Sequence, residues 1–158
     1  MPASSAAVAR VMSRRIVPTK LFGSLDVGDD QIIVLPEGMF GFPSCREWVL
    51  IDGARPGTAW LQSAENAALA FLLVDPFVLF DGFSADLATT DLRRLRADDP
   101  SQIAVFAIVT LPAGRGGEAT ANLQGPVVIN VHERLGAQVV VESSRWAVRQ
   151  ALPESFLA

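Results

Sequence analysis

Turn-forming residues recur along this chain about every ten positions, and short apolar or β-branched segments fill the intervals. That rhythm constrains the fold more than any other feature, because it leaves no room for long helices. It predicts strands over Ile16–Phe22, Gln31–Leu35, Glu47–Ile51, Ala59–Ser63, Leu69–Val74, Ile103–Leu111, Thr120–Leu123, Val127–Val131 and Gln138–Val141. Pro18 places the first of these at a sheet edge. Ile103–Leu111 is nearly continuous in apolar residues and is expected to pack on both faces. Gly23-Ser24 and Gly28-Asp29-Asp30 mark turns, Pro36 to Pro43 an irregular loop, and Glu65-Asn66 a tight connection.

One helix is expected, over Thr89–Ala97, where Leu92 and Leu95 share a face with the preceding Leu87 and Asp98-Asp99-Pro100 ends the turn. The segment from Ser144 onward carries Trp146 and Leu152 and is expected to close the domain by packing onto it. Strands do not alternate with helices, so a parallel α/β sheet is not expected. The fold class is therefore mainly β: a compact antiparallel β-barrel-like or sandwich domain with one short helix.

The chain has 158 residues, enough for one domain with a full core. Residues 14–158 are read as that single domain. Residues 1–13, rich in Ala and Ser, are read as a flexible N-terminal extension, with a targeting peptide as the alternative because the stretch lacks acids and carries Arg10. No apolar run approaches the roughly 20 residues of a spanning helix, so no membrane association is expected and the expected compartment is the cytoplasm. A net charge of −4 makes the chain a poor binder of phosphate backbones and a suitable partner for a basic protein.

Catalytic and metal chemistry finds little to work with. There is one Cys, Cys45, and one His, His132, so a Cys/His zinc site is not available. His132 falls in a turn-like stretch, Val131-His132-Glu133-Arg134. Arg46 beside Cys45 would favour a thiolate, yet a free Cys is most often a core residue. Gly114-Arg115-Gly116-Gly117 lacks the Lys-Ser/Thr of a phosphate loop and reads as a hairpin tip. Asp91, Asp98 and Asp99 offset the Arg93/Arg94/Arg96 cluster. No catalytic residue, no metal ligand and no cofactor are assigned.

What remains conspicuous is apolar and aromatic sequence in loops. Met39, Phe40 and Phe42 lie among Gly38, Gly41 and Pro43. Phe77, Val78, Leu79, Phe80 and Phe83 follow Pro76, with Asp75, Asp81 and Asp86 around them. Such residues either fill a core or form an apolar docking patch with an acidic rim, suited to an amphipathic helix with basic flanks.

The run Thr120-Ala121-Asn122-Leu123-Gln124-Gly125-Pro126-Val127-Val128-Ile129-Asn130 resembles the signature of the flagellar assembly factor FliW family. In the same order along the chain, Gly38-Met39-Phe40-Gly41-Phe42 resembles the family's Gly-x-x-Gly-Phe loop and Leu61-Gln62-Ser63 its Leu-Gln-Ser strand. Ala70-Phe71 with Pro76 and the aromatic run resembles its central strand and loop, and Arg149-Gln150 its C-terminal Arg-Gln. The resemblance spans about Arg15 to Leu152. It departs from the family where Gly82-Phe83-Ser84 stands for a common Asp-Tyr-Glu, and where Asp75 stands for the usual Asn before Pro.

The resemblance implies a non-enzymatic cytoplasmic protein with two protein partners, flagellin and the translational repressor CsrA. Flagellin would occupy it while subunits accumulate. After their export, the freed protein would bind CsrA away from its RNA surface and relieve repression of flagellin synthesis. It would be a monomer when free and would make no direct contact with nucleic acid. The partner surface is expected on the loop Asp75–Asp86, with Phe77 and Phe83 as apolar contacts, Phe83 being the anchor. Asp75, Asp81, Ser84 and Asp86 are the polar contacts. Gln62 and Asn122 are secondary candidates that would otherwise serve backbone hydrogen bonds within the sheet. The competing reading is a small-molecule-binding β-barrel or a minor enzyme using Cys45 or His132. A lumen, or a polar pocket around either residue, would favour it.

Overall fold

Alternation of side chains decides the architecture. The structure is a computed structural model and describes residues 13–112, 118–143 and 145–157. Its strands are β1 (Arg14–Pro18), β2 (Ser24–Gly28), β3 (Ile32–Val34), β4 (Glu47–Asp52), β5 (Thr58–Ser63), β6 (Ala70–Val74), β7 (Ala104–Thr110), β8 (Thr120–Asn130), β9 (Leu135–Gln138) and β10 (Gln150–Ala151). The helices are α1 (Pro76–Leu79), α2 (Thr89–Arg94) and α3 (Glu154–Leu157). Two 3-10 turns cover Asp29–Gln31 and Pro100–Gln102.

β3 to β9 form one sheet in the order β8-β7-β6-β5-β4-β3-β9, and β9 pairs back onto β8, so the sheet closes into a barrel. All ladders are antiparallel except β3 with β9, which run parallel through Val34 and Leu135. β10 adds to the outside edge of β8, and β1 with β2 forms a separate hairpin. The β-rich expectation holds, and of its two variants the barrel is the one adopted.

One alternation set fills the barrel. Ile33, Leu35, Trp48, Leu61, Leu73 and Ile129 form a buried cluster, with Phe106 and Ile108 of β7 packed against it. The interior is thus a packed core, as small barrels require. The opposite set points outward and would be wet without covers. Three segments supply them. The hairpin β1–β2 buries Val17 and Val27 against Ile32 and Val49. Leu95, at the end of α2, packs with Val128, Val139 and Val141. The loop following β6, with the C-terminal segment, seals Val74, Ala107, Val109, Ala121 and Leu123 beneath Phe80, Phe83 and Leu152. β7 therefore packs on both faces, and the C-terminal segment does close the domain.

Several elements differ from expectation. Residues 19–22 form the β1–β2 turn rather than strand, because Thr19 donates through both its backbone N–H and its hydroxyl to Gly23 O, at 2.9 and 2.7 Å. β2 lies between two turn signals that conceal its short Leu25/Val27 alternation. The helix expected to Ala97 ends at Arg94. The strand expected over Gln138–Val141 lies earlier, at β9.

Thr120–Leu123 and Val127–Val131 join into one strand, β8, with a large bulge. Between the pairs Ile108↔Asn122 and Phe106↔Val127, only Ala107 faces residues 123–126. The bulged residues bond elsewhere: Leu123 N–H donates to Ala147 O (3.1 Å), Gln124 O accepts from Val141 N–H (2.8 Å), and Pro126 O accepts from Val139 N–H (3.0 Å). Pro126, with no N–H to give, sits where the β7 ladder is already broken. Residues 1–12 of the expected extension and the hairpin tip at Gly114–Gly117 lie outside the described residues.

Candidate functional site

The loop after β6 is built by a helix-start signal, Asp75-Pro76. Asp75 Oδ1 accepts from Phe77 N–H at 2.9 Å, which caps the single turn of α1, and Pro76 occupies its first turn, where no donor is missed. The turn closes with Phe80 N–H donating to Pro76 O (3.0 Å), and Phe83 N–H donates to Phe80 O (3.0 Å). One turn of helix sorts the apolar run into two faces. Phe77 and Val78 stand out, 51% and 72% exposed, while Phe80 and Phe83 fall to 6% and 7% and join the outer core.

This corrects the expectation for Phe83. Its ring is sealed against Trp146 (6.1 Å between centroids) and Phe77 (5.2 Å), so it supports the surface instead of presenting itself as an anchor. The outward apolar residues are Phe77, as expected, and Val78, which belongs to the same run. Asp81, Ser84 and Asp86 are exposed and stay available as polar contacts. Asp75 is half-buried and its carboxylate is engaged as a helix cap.

The C-terminal segment contributes a residue that sequence reasoning missed. Arg145 lies 4.6 Å above the Trp146 ring and donates through Nη2 to Asp81 O at 3.1 Å. Gly82 beneath it has φ +75°, and a Cβ there would lie 2.7 Å from Arg145 Nη1. The left-handed φ favours glycine at this point, and the missing side chain leaves the space that Arg145 occupies. Arg145 and Asp81 are 64 positions apart, so no local pattern joins them.

Gln62 and Asn122 make the backbone hydrogen bonds expected as the alternative to partner contacts; burial takes Gln62 off the surface, while Asn122 is half-buried. Gln62 is fully buried, and its Nε2 lies 3.0 Å from Ser63 O and 3.2 Å from Leu69 O, inside the β5–β6 connection. Ser63 Oγ accepts from Glu65 N–H and Asn66 N–H in the same turn, at 3.1 and 3.0 Å. The Leu-Gln-Ser run is thus a turn-building unit.

Asn122 Oδ1 accepts from Gln124 N–H (3.0 Å) and Gly125 N–H (2.8 Å), holding the β8 bulge. A Cβ on Gly125 would lie 2.8 Å from Asn122 Nδ2. Gln138 then ties two distant motifs together: its Nε2 donates to Gly125 O (2.9 Å) and its Oε1 accepts from Phe40 N–H (2.9 Å). In the loop of Phe40, Met39 is buried in the barrel core while Phe40 and Phe42 are exposed.

Among the described residues, side chains fill the barrel interior where a ligand-binding barrel would keep a lumen. Cys45 packs against that core, and His132 is exposed in the β8–β9 turn. Neither lines the apolar cleft of about 190 Å³ beside Arg94 and Leu95, nor the clefts at Arg15, Trp60 and Asp30. Asp91, by its hydrogen bond, with Glu37 adding its charge, holds the Arg94 guanidinium above its ordinary pKa at the first of these clefts. Among the described residues, no helix is long and apolar enough to cross a membrane.

Comparison with known proteins matches this geometry to one family. Residues 16–152 match the family model described as FliW protein. The chain is 38% identical over 142 residues to the flagellar assembly factor FliW of Moorella thermoacetica, covering 89% of this chain and 90% of that protein. It is 35% identical over 130 residues to the flagellar assembly factor FliW of Treponema denticola, covering 82% and 88%. A crystal structure of the flagellar assembly factor FliW superposes with a TM-score of 0.79 at 31% identity, covering 87% of this chain and 96% of that one.

Proposed function

Because the chain belongs to the FliW family, we propose that it serves flagellar assembly by capturing flagellin in the cytoplasm and, when free of flagellin, by capturing CsrA. The family's curated members are flagellar assembly factors, a regulatory class rather than a class of enzymes.

The observation that carries the reading is the exposed pair Phe77 and Val78 on α1, followed along the loop by exposed Asp81, Ser84 and Asp86. An apolar centre with a polar rim has the anatomy of a protein-docking surface. Its rim carboxylates would draw a partner segment with basic flanks, and the acidic chain as a whole would attract a basic RNA-binding protein. One surface serving two partners makes a switch by mass action alone: flagellin in excess depletes the form that can meet CsrA. CsrA then remains on its message until export drains the flagellin pool. The protein would act as a monomer, without touching nucleic acid.

Isothermal titration of the purified chain with its cognate flagellin and its cognate CsrA tests this. Saturable heat with both, and loss of the CsrA signal after preloading with flagellin, is the expected result. Absence of heat with either partner ends the proposal, and simultaneous binding of both ends the switch.

A further inference from the structure

Arg145 is a cation held against an aromatic surface. Among the described residues it makes no ion pair, a trait it shares with Arg46, Arg55, Arg93, Arg134, Arg149 and Lys20, and what distinguishes it is its place beside the Phe77 loop. Its guanidinium is nevertheless held from three sides: by the Trp146 ring, by Asp81 O and by the flat backbone at Gly82. A series of ring contacts runs from exposed Phe77 to this charge. Phe77 touches Phe83 (5.2 Å), Phe83 touches Trp146 (6.1 Å), and Trp146 carries Arg145 (4.6 Å). An exposed arginine ordinarily samples many rotamers. One fixed in advance has little entropy left to lose when it meets an acceptor.

Among the described residues one of its guanidinium nitrogens is engaged, by a neutral carbonyl, which leaves N–H donors for an anion. A planar guanidinium fits a carboxylate through two parallel hydrogen bonds. We propose that Arg145 is a specificity-determining residue of the Phe77–Val78 surface, reading a carboxylate on the docking helix of the partner. The partner segment then has a definite chemistry. It is an amphipathic helix whose apolar side chains seat on Phe77 and Val78, with an acidic residue within a turn of them for Arg145 and basic residues facing Asp81 and Asp86. The mixed pattern rejects uniformly basic segments, which the −4 charge of the chain would otherwise attract indiscriminately.

This inference rests on the docking role proposed above, and its test separates the two. Wild type, Val78→Asp, Arg145→Gln and Arg145→Glu are titrated against cognate flagellin and cognate CsrA at low and high salt. Glutamine removes the charge together with the cation–ring contact, so any loss of the clamp itself shows in the melt and is separated from a loss of binding. A thermal melt followed by intrinsic tryptophan fluorescence checks that the fold is intact. The expected result is loss of binding with Val78→Asp, about tenfold weaker binding with Arg145→Gln, and a larger loss with Arg145→Glu. The deficit of Arg145→Gln should shrink at high salt, where the wild-type charge pair is screened. If Val78→Asp abolishes binding while both Arg145 variants bind like wild type, the carboxylate inference is overturned and the docking surface stands. If Val78→Asp binds like wild type, the surface is misassigned and the inference falls with it.

Discussion

The Phe77 ring meets the Phe83 ring edge-on, with 5.2 Å between centroids and planes 73° apart, one ring half in solvent and the other sealed. The contact divides labour within one short loop. Phe83, backed by Trp146 and the outer core, fixes the platform, while Phe77 and Val78 form what a partner can touch. An apolar patch on a single helical turn could not keep its shape alone, because so short a helix is marginal without tertiary packing.

The division predicts opposite behaviour for neighbouring substitutions. Phe83→Ala should destabilise the fold by about 3–5 kcal/mol, the usual cost of deleting a buried aromatic ring. Val78→Asp, on the exposed side, should change stability by only about 0.5 kcal/mol while removing partner binding. Urea unfolding curves for both variants, beside titrations with cognate flagellin, check this. A Phe83→Ala protein as stable as wild type would place the ring outside the core.

Gln62 sits within reach of four carbonyl oxygens in the β5–β6 connection. Leu69 O, Ala67 O and Asn66 O each also accept a backbone N–H, so replacing Gln62 by Ala removes a second, side-chain donor from the turn, at about 0.5–1.5 kcal/mol. We expect Gln62→Ala to lower the unfolding midpoint while the residual folded protein keeps its affinity for either partner. A selective loss of affinity at unchanged stability would return Gln62 to the docking surface.

Legibility in the sequence followed locality. The β class, the edge role of the first strand and the closing role of Leu152 rest on period, Pro placement and apolar content, which are local signals, and they agree with the structure. Local signals do not separate a closed barrel from a sandwich, because closure depends on β9 reaching both β3 and β8, a matter of non-local pairing. The inward turn of Phe83 was hidden because a run of apolar residues does not say which face it buries. The Asp75-Pro76 helix start was visible in principle, since an N-cap followed by Pro is a recognised opening, and it would have separated Phe77 and Val78 from Phe80. Arg145 had no local signal at all: its contacts with Asp81 and Gly82 exist only because the chain returns over the loop.

The β8 bulge is expected to be a stability element with narrow tolerance. Asn122→Ala removes the acceptor for two backbone N–H groups, those of Gln124 and Gly125, and should cost about 1–3 kcal/mol. Gly125→Ala forces a methyl group against the Asn122 amide, and overpacking of that kind costs about 1–3 kcal/mol. The two residues share one contact, so the double variant should be less destabilised than the sum of the singles. A double-mutant cycle by chemical denaturation reads the coupling. Strict additivity would mean that the bulge is held by something other than this pair.

Asp75 provides the cleanest separation of a cap from a partner contact. Its carboxylate accepts from Phe77 N–H, and asparagine offers an equivalent oxygen in the same place. Asp75→Asn should therefore preserve stability and partner affinity alike, whereas Asp75→Ala should cost about 0.5–2 kcal/mol through the lost cap. If the negative charge itself met a basic partner, Asp75→Asn would weaken binding with little change in melting temperature, and the loss would fade with added salt. Comparing the three proteins by thermal melts and by titration at two ionic strengths distinguishes these cases. Equal affinity of the wild type and the asparagine variant at both salt concentrations assigns Asp75 to the helix and leaves Asp81 and Asp86 as the acids that face a partner.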